Sequence, residues 1–229
     1  MGKNPESYNW RYERKFLVPF ELQAEIYNFL LLHPAIFSEI YQRREINNIY
    51  FDSIDRRFYT ENINGIGNRK KIRIRWYGEL YGHIKPTLEI KSKKGMIGTK
   101  ESYRLPEFNF TSNTNLFDIK QMIVNAKLPE NIRQEMLVLS MSLLNSYSRR
   151  YFLSLDRKYR ITIDTKLKYF KIDNHANIHS SFMAKDYSMI LELKYAKDEE
   201  PFASNVSSYF PFRLTRNSKY VNGVNFIRG

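Results

Sequence analysis

The sequence predicts an α+β protein built on an antiparallel sheet of about eight strands, closed into a barrel and decorated by helices. Three observations carry that expectation. Charged side chains stand at every second position in Arg73-Ile74-Arg75-Trp76, Glu89-Ile90-Lys91, Arg160-Ile161-Thr162-Ile163-Asp164 and Leu191-Glu192-Leu193-Lys194, a period of two that sends charge to one sheet face and aliphatics to the other. Strand-like segments recur about eight times with turn residues between them, and helical spacing is confined to a few intervening stretches.

In chain order, Trp10 to Val18 reads as a strand ended by Pro19, and Phe20 to Leu32 as a helix with Leu22, Ile26, Phe29 and Leu30 at helical spacing. Glu45 to Phe51 is the second strand, and Asp52-Ser53-Ile54-Asp55 is a capped entry into a short helix reaching Asn62. Asn64-Gly65-Ile66-Gly67-Asn68 breaks that helix. Arg69 to Tyr77, Lys85 to Lys93 and Thr99 to Leu105 then form a meander, its last turn being Lys93-Lys94-Gly95-Met96-Ile97-Gly98. Phe108 to Asn115 reads as a loop, and Leu116 to Ala126 and Glu130 to Asn145 as helices, with Pro129 at a favourable helix start. Ser146 to Leu155 and Tyr159 to Tyr169 read as a hairpin about Asp156-Arg157-Lys158. Ser188 to Tyr195 is the last strand, Glu199 to Tyr209 a helix, and Pro211 to Tyr220 a compact basic tail. A polar tail over residues 1–9 thus precedes one domain over 10–229, long enough to bury a sizeable core.

The 37 Lys and Arg against 24 Asp and Glu give a net charge of +13, which favours anionic partners without choosing among phosphorylated metabolites, nucleic acid and membrane surfaces. Absence of cysteine excludes disulfides and thiolate metal sites, leaving oxygen or histidine ligands. No apolar run approaches the roughly 20 residues of a membrane span, so a cytoplasmic location is expected.

An ordinary solvent-facing sheet would also alternate. Here the polar face is dominated by Arg and Lys with isolated carboxylates, where a solvent face mixes in Ser, Thr, Gln and Asn. Planar Arg donors and Lys point charges along one face are what binding a triphosphate or a longer phosphate chain requires. Glu89 and Glu192, each two residues before a lysine, could hold a divalent cation across phosphate oxygens or could pair with neighbouring cations. No strand-to-helix glycine fingerprint of a phosphate loop follows Gly65 and Gly67, and no RNA-recognition signature is present, so nucleic acid is not expected as a partner.

Arg11-Tyr12-Glu13-Arg14-Lys15-Phe16, Arg73-Ile74-Arg75, Glu89-Ile90-Lys91, Ser148-Arg149-Arg150-Tyr151, Ile161-Thr162-Ile163-Asp164, Glu192-Leu193-Lys194 and Ser218-Lys219-Tyr220, taken in order, resemble the VTC domain. That is the polyphosphate polymerase domain of the vacuolar transporter chaperone family, within the CYTH-like triphosphate tunnel metalloenzymes. The resemblance covers about residues 10 to 222 and implies an eight-stranded tunnel whose basic walls grip a triphosphate beside a carboxylate-held Mn²⁺ or Mg²⁺. It implies transfer of the terminal phosphoryl of ATP to inorganic polyphosphate. Arg73, Arg75 and Lys91 would carry the transferring group. Lys15, Arg150, Arg160, Lys194, Ser218 and Lys219 would bind substrate, and Glu192 and Glu89 would serve the metal. Arg149 and Arg150 face opposite ways on a strand, and the expectation places Arg150 in the tunnel. Related tunnel triphosphatases and class IV adenylate cyclases carry an N-terminal ExExK, whereas Arg11 stands here at the first Glu, which moves the match toward the polymerase branch. The alternatives are a tunnel triphosphatase and a non-catalytic module binding polyphosphate or inositol pyrophosphate. A polymerase of this length would release its product or pass it to a separate membrane partner.

Overall fold

The computed structural model describes residues 11–94, 97–172 and 178–227. The expected tail over residues 1–9 and the centre of the turn after Lys94 lie outside them. Twelve strands form among the described residues: β1 (Arg11–Val18), β2 (Ser38–Asp52), β3 (Asn68–Tyr77), β4 (Gly82–Ile84), β5 (Thr87–Lys94), β6 (Ile97–Arg104), β7 (Phe108–Phe110), β8 (Ser140–Leu153), β9 (Tyr159–Ile172), β10 (Ile178–Asp186), β11 (Met189–Ala196) and β12 (Arg213–Leu214). The main sheet runs β12-β1-β11-β9-β8-β2-β3-β5-β6, antiparallel throughout, with β10 added on β9 and a separate β4-β7 pair. The eight strands expected from alternation are the eight consecutive members from β1 to β6.

That path ends at β12 and β6, so its hydrogen bonds do not close into a circle. It curls nonetheless. Lys91 on β5 lies six strands from β1, roughly 29 Å across a flat sheet, yet its charge acts on Glu13 and on Lys15 of β1. Lys15 donates to the carbonyl of Asn217 (2.9 Å) while Lys71 on β3 donates to the hydroxyl of the adjacent Ser218 (3.0 Å), so one short segment touches both walls.

Among the described residues there are six α-helices, α1 (Ile26–Leu31), α2 (Arg57–Ile63), α3 (Leu116–Val124), α4 (Glu130–Val138), α5 (Glu200–Ser207) and α6 (Lys219–Phe226), of which α1, α3, α4 and α5 cover the outer face. The aliphatic positions between the charges face outward under them. Ile72, Ile74, Trp76, Leu88 and Ile90 join Ile119, Met122, Ile132 and Met136 of α3 and α4. Phe16, Phe152, Ile161, Ile163, Leu191 and Leu193 pack with Ile26, Leu30 and Ala203 of α1 and α5. Removing those apolar faces from water, at about 25 cal/mol per Å², is the driving force that leaves the charged faces turned inward.

Two departures from the expected elements have physical causes. The helix expected over Glu130 to Asn145 stops at Val138, and β8 starts at Ser140 because Met141, Leu143 and Leu144 pair with the long β2 from Phe51 back to Ile49. The expected basic tail contains β12 and α6, whose Tyr220 and Val224 bury against Leu143, Tyr147 and Tyr169 on the concave side. At Gly223 a Cβ would come within 2.5 Å of both Leu143 and Tyr169 side chains. Gly223→Ala is therefore expected to destabilise the fold by about 1–3 kcal/mol through overpacking, read as a lower urea midpoint with an unchanged m-value.

Candidate functional site: a cationic tunnel

Cross-strand register decides which charges share the concave face. Lys15 opposes Glu192, Glu13 opposes Lys194, and Arg149 opposes Asp164. On the other wall Arg73 opposes Glu89, and Lys71 opposes Lys91, which opposes Lys100. Helix α6 adds Lys219 between these walls, its ammonium paired with Asp164, 3.5 Å from Glu192 and 4.9 Å from the Tyr147 ring centroid.

Four carboxylates offset these cations. Asp164, fully buried, takes a two-pronged bond from Arg149 (2.5 and 2.6 Å). Glu89 receives Arg73 on one oxygen (2.6 and 2.8 Å) and Lys100 on the other (2.5 Å), with Arg75 at 3.6 Å. Burial pushes the Glu89 carboxyl up, but Arg73, Arg75 and Lys100 outweigh it and hold it well below the usual carboxylate range. Glu192 is held more loosely, with Lys194 at 2.9 Å, Lys15 at 3.4 Å and Arg149 at 3.5 Å. Burial opposes its ionisation, yet Lys194, Lys15, Lys219 and Arg149 keep it ionised. Glu13 lies 2.8 Å from Lys15. Burial and Glu192 raise its pKa, while Lys15, Lys194 and Lys91 more than reverse them.

Lys71 and Lys91 differ from the other cations, since neither has a carboxylate within ion-pair distance among the described residues. Burial, then repulsion from Lys15 and Arg69, brings the Lys71 ammonium down to about 7. Lys91 is surrounded by the tunnel wall but open to its lumen. Enclosure and then Arg73 push its pKa well below the ordinary lysine value. Cations left uncompensated in an enclosed space form an anion site.

The expected residues fall as follows. Lys15, Arg73, Arg75, Glu89, Lys91, Glu192, Lys194 and Lys219 share the concave face. Arg160 opposes Lys194 and is solvent-exposed at the rim. Ser218 caps α6, accepting from Val221 and from Lys71. Arg150 corrects the expectation: it points to the outer face, gripping Glu39 (2.8 and 2.5 Å) and lying 4.1 Å from the Tyr27 centroid, while Arg149 enters the tunnel. Counting by twos from Phe152, an outer-core residue, already places Arg150 outward. The same parity from Lys15, Arg73 and Lys91 places Glu13 and Lys71 on the concave face and, across the strand pair, Lys100. Tyr147 joins the wall outside the expected set, its hydroxyl accepting from Arg75 (3.1 Å).

Metal capacity is limited to shared ligands. Among the described residues no three carboxylate or histidine groups converge. Glu89 has both oxygens occupied by short bonds from cations, as an ion-pairing carboxylate. Glu192 meets movable lysines at longer range, so an oxygen-seeking cation that takes its remaining ligands from phosphate or water fits there.

A depressed Lys71 has a testable sign. Between about pH 7 and the unfolded value near 10.4 the unfolded chain binds the extra proton, so Lys71 makes stability rise with pH across that window. A bound polyanion restores the charged form. Triphosphate binding at pH 8.5 should therefore take up protons, seen as calorimetric heats that change with buffer ionisation enthalpy, and affinity should weaken from pH 7 to 9. Lys71→Met should reduce both effects.

Comparison with known proteins agrees with this architecture. The family model of the VTC domain matches residues 10–228. No curated protein matches the chain. Among solved structures, a candidate adenylate cyclase from Vibrio parahaemolyticus superposes with a TM-score of 0.53 at 11% identity, covering 95% of this chain and 98% of that one. The PH1819 protein from Pyrococcus horikoshii OT3 gives 0.49 at 16% identity, over 91% and 94% of the two chains. The first shares the fold, a curved antiparallel sheet, and among the described residues no helix is long and apolar enough to cross a membrane. With its motifs in order along one cationic tunnel and the family model matching nearly its whole length, this chain belongs to the VTC domain family.

Proposed function

We propose that this domain transfers the terminal phosphoryl of ATP to the end of an inorganic polyphosphate chain inside the tunnel. The observation that carries this reading is the pair of uncompensated lysines, Lys71 and Lys91, set among Arg73, Lys15 and Lys194 on an enclosed face. Phosphoryl transfer depends on positioning and on neutralising charge spread over the transferring group. The terminal oxygen of the acceptor chain attacks the γ-phosphorus, the bond from that phosphorus to the β-bridging oxygen breaks, and ADP departs with the electron pair. The acceptor is already an ionised phosphate, so no general base has to remove a proton.

Lys91 and Arg73 face the transferring group in this reading, with Arg75 held in line by Asn48 (2.9 Å) and Tyr147. Lys15, Lys194, Lys219 and Arg149 position the flanking phosphates, and Arg160 guides them at the rim. Ser218 orients Lys71. Mn²⁺ or Mg²⁺ would be held by Glu192 with Glu13 nearby, supplying further neutralisation of phosphate oxygens when bound. Glu89 fixes Arg73 and Lys100.

A second reading, a binding module for phosphate chains without turnover, is supported by the engagement of all four tunnel carboxylates by cations. Incubation with ATP and Mn²⁺ separates them. A ladder of long chains on a gel is expected, and Lys91→Ala and Glu192→Ala should each lower the rate at least ~100-fold with unchanged circular dichroism. Free phosphate without chains would mean hydrolysis. No turnover together with thermal stabilisation by triphosphate, about 2.7 kcal/mol at a hundredfold excess over Kd, would leave the binding module. Retained turnover in either variant would overturn these roles.

A further inference from the structure

Near the start of β2 its pairing with β8 slips twice within a few residues, between Glu39 and Tyr41 and again between Tyr41 and Arg44. Residues three apart on a regular strand face opposite ways; the extra residue of a bulge brings them to one side. Tyr41 thereby opposes Tyr151 and Arg44 opposes Arg149, a tunnel residue. The Arg44 guanidinium lies 4.7 Å from the Tyr41 ring centroid, 5.6 Å from Tyr151 and 5.8 Å from Tyr77. Tyr41 and Tyr151 meet edge to face at 5.6 Å. Arg44 has no carboxylate partner among the described residues, for the neighbouring Glu45 takes Arg43 (3.8 Å) and Ser148 (2.8 Å). Tyr41 is 48% and Tyr77 53% exposed. Two exposed tyrosines, the half-buried Tyr151 and a guanidinium without a carboxylate partner therefore cluster at one end of the cationic tunnel.

We propose that this aromatic mouth holds the base of the nucleotide donor. The inference rests on the phosphoryl-transfer reading above and deepens it by assigning the tunnel a direction. A base stacks on tyrosine and arginine planes through its π-face, whatever its hydrogen-bonding edge. Arg149 stands two residues inward from Tyr151, about 7 Å along the strand, which leaves room for the ribose before the first phosphate meets a cation. The phosphates then run toward Arg75, Arg73 and Lys91. The acceptor chain enters from the opposite end, where Arg69 opposes Lys93 and Lys71 follows two residues inward on the same face.

Titration calorimetry on the whole chain tests this, with ATP and inorganic triphosphate as separate probes. The double variant Tyr41→Leu/Tyr77→Leu keeps apolar bulk and net charge, and its melting is checked by circular dichroism. Expected is a fall of about 5- to 100-fold in the affinity ratio of ATP to triphosphate. The quenching of an ethenoadenosine triphosphate probe seen with the unaltered chain should be lost in parallel. An unchanged ratio, with triphosphate still bound, would overturn the aromatic mouth alone. No triphosphate binding to the unaltered chain would overturn the tunnel reading and this assignment with it.

Discussion

The structure depends on one electrostatic constraint, the enclosure of like charges. Lys15, Lys71, Arg73, Arg75, Lys91, Arg149, Lys194 and Lys219 are drawn onto one concave surface by the burial of the alternate residues. Repulsion among them is weak in water and several-fold stronger inside a protein wall. Glu13, Glu89, Asp164 and Glu192 make the arrangement possible, and removing a buried partner such as Asp164 would leave uncompensated charge worth about 3–5 kcal/mol. The compensation is incomplete at Lys71 and Lys91, which have no carboxylate within ion-pair distance among the described residues. Stability and ligand binding thus draw on the same charges.

The carboxylates divide by whether they fix a guanidinium plane in addition to any ammonium they hold. Asp164 and Glu89 grip guanidinium groups through paired short bonds, fixing the planes of Arg149 and Arg73 before any ligand arrives. Glu13 and Glu192 hold ammonium groups on flexible stems, and Lys15 bridges the two. The wall therefore combines preset arginines with lysines that can turn toward phosphate oxygens at little cost.

Most of this was legible from the chain because a period of two survives tertiary packing. The eight strands, their charged faces and the placement of Lys15, Arg73, Arg75, Lys91, Glu192 and Lys194 all follow from it. What was not legible depends on neighbours distant in sequence. Ser140 to Asn145 has no strong local preference, and pairing with β2 makes it a strand. Helix α6 contains Asn222, Gly223 and Asn225, poor helix formers, and exists because Tyr220 and Val224 find a surface on the sheet. The Arg149–Arg150 ambiguity was soluble by parity from Phe152 but not from the charges alone. The bulge that joins Tyr41 to Arg44 leaves no periodic trace, since it breaks the period by which faces are read.

Helix α6 makes the tunnel inseparable from the fold. Its first turn carries, in successive residues, the Ser218 cap that meets Lys71, the Lys219 ammonium that enters the carboxylate cluster, and Tyr220, whose hydroxyl bonds Asp52 (2.6 Å). Asp52 in turn accepts from the backbone of Phe58 and Tyr59 at the start of α2 (2.8 and 2.9 Å). The sheet ladder leaves β1 and β3 unjoined across the lumen, and this segment joins them through contacts each worth about 1 kcal/mol net. Strand pairing sets the curvature of the walls, while a few side-chain contacts from the C-terminal segment fix how far apart two of them stand. Because two of those contacts are made by Lys15 and Lys71, which also belong to the charged concave face, the spacing of the walls and the charge within them are set together.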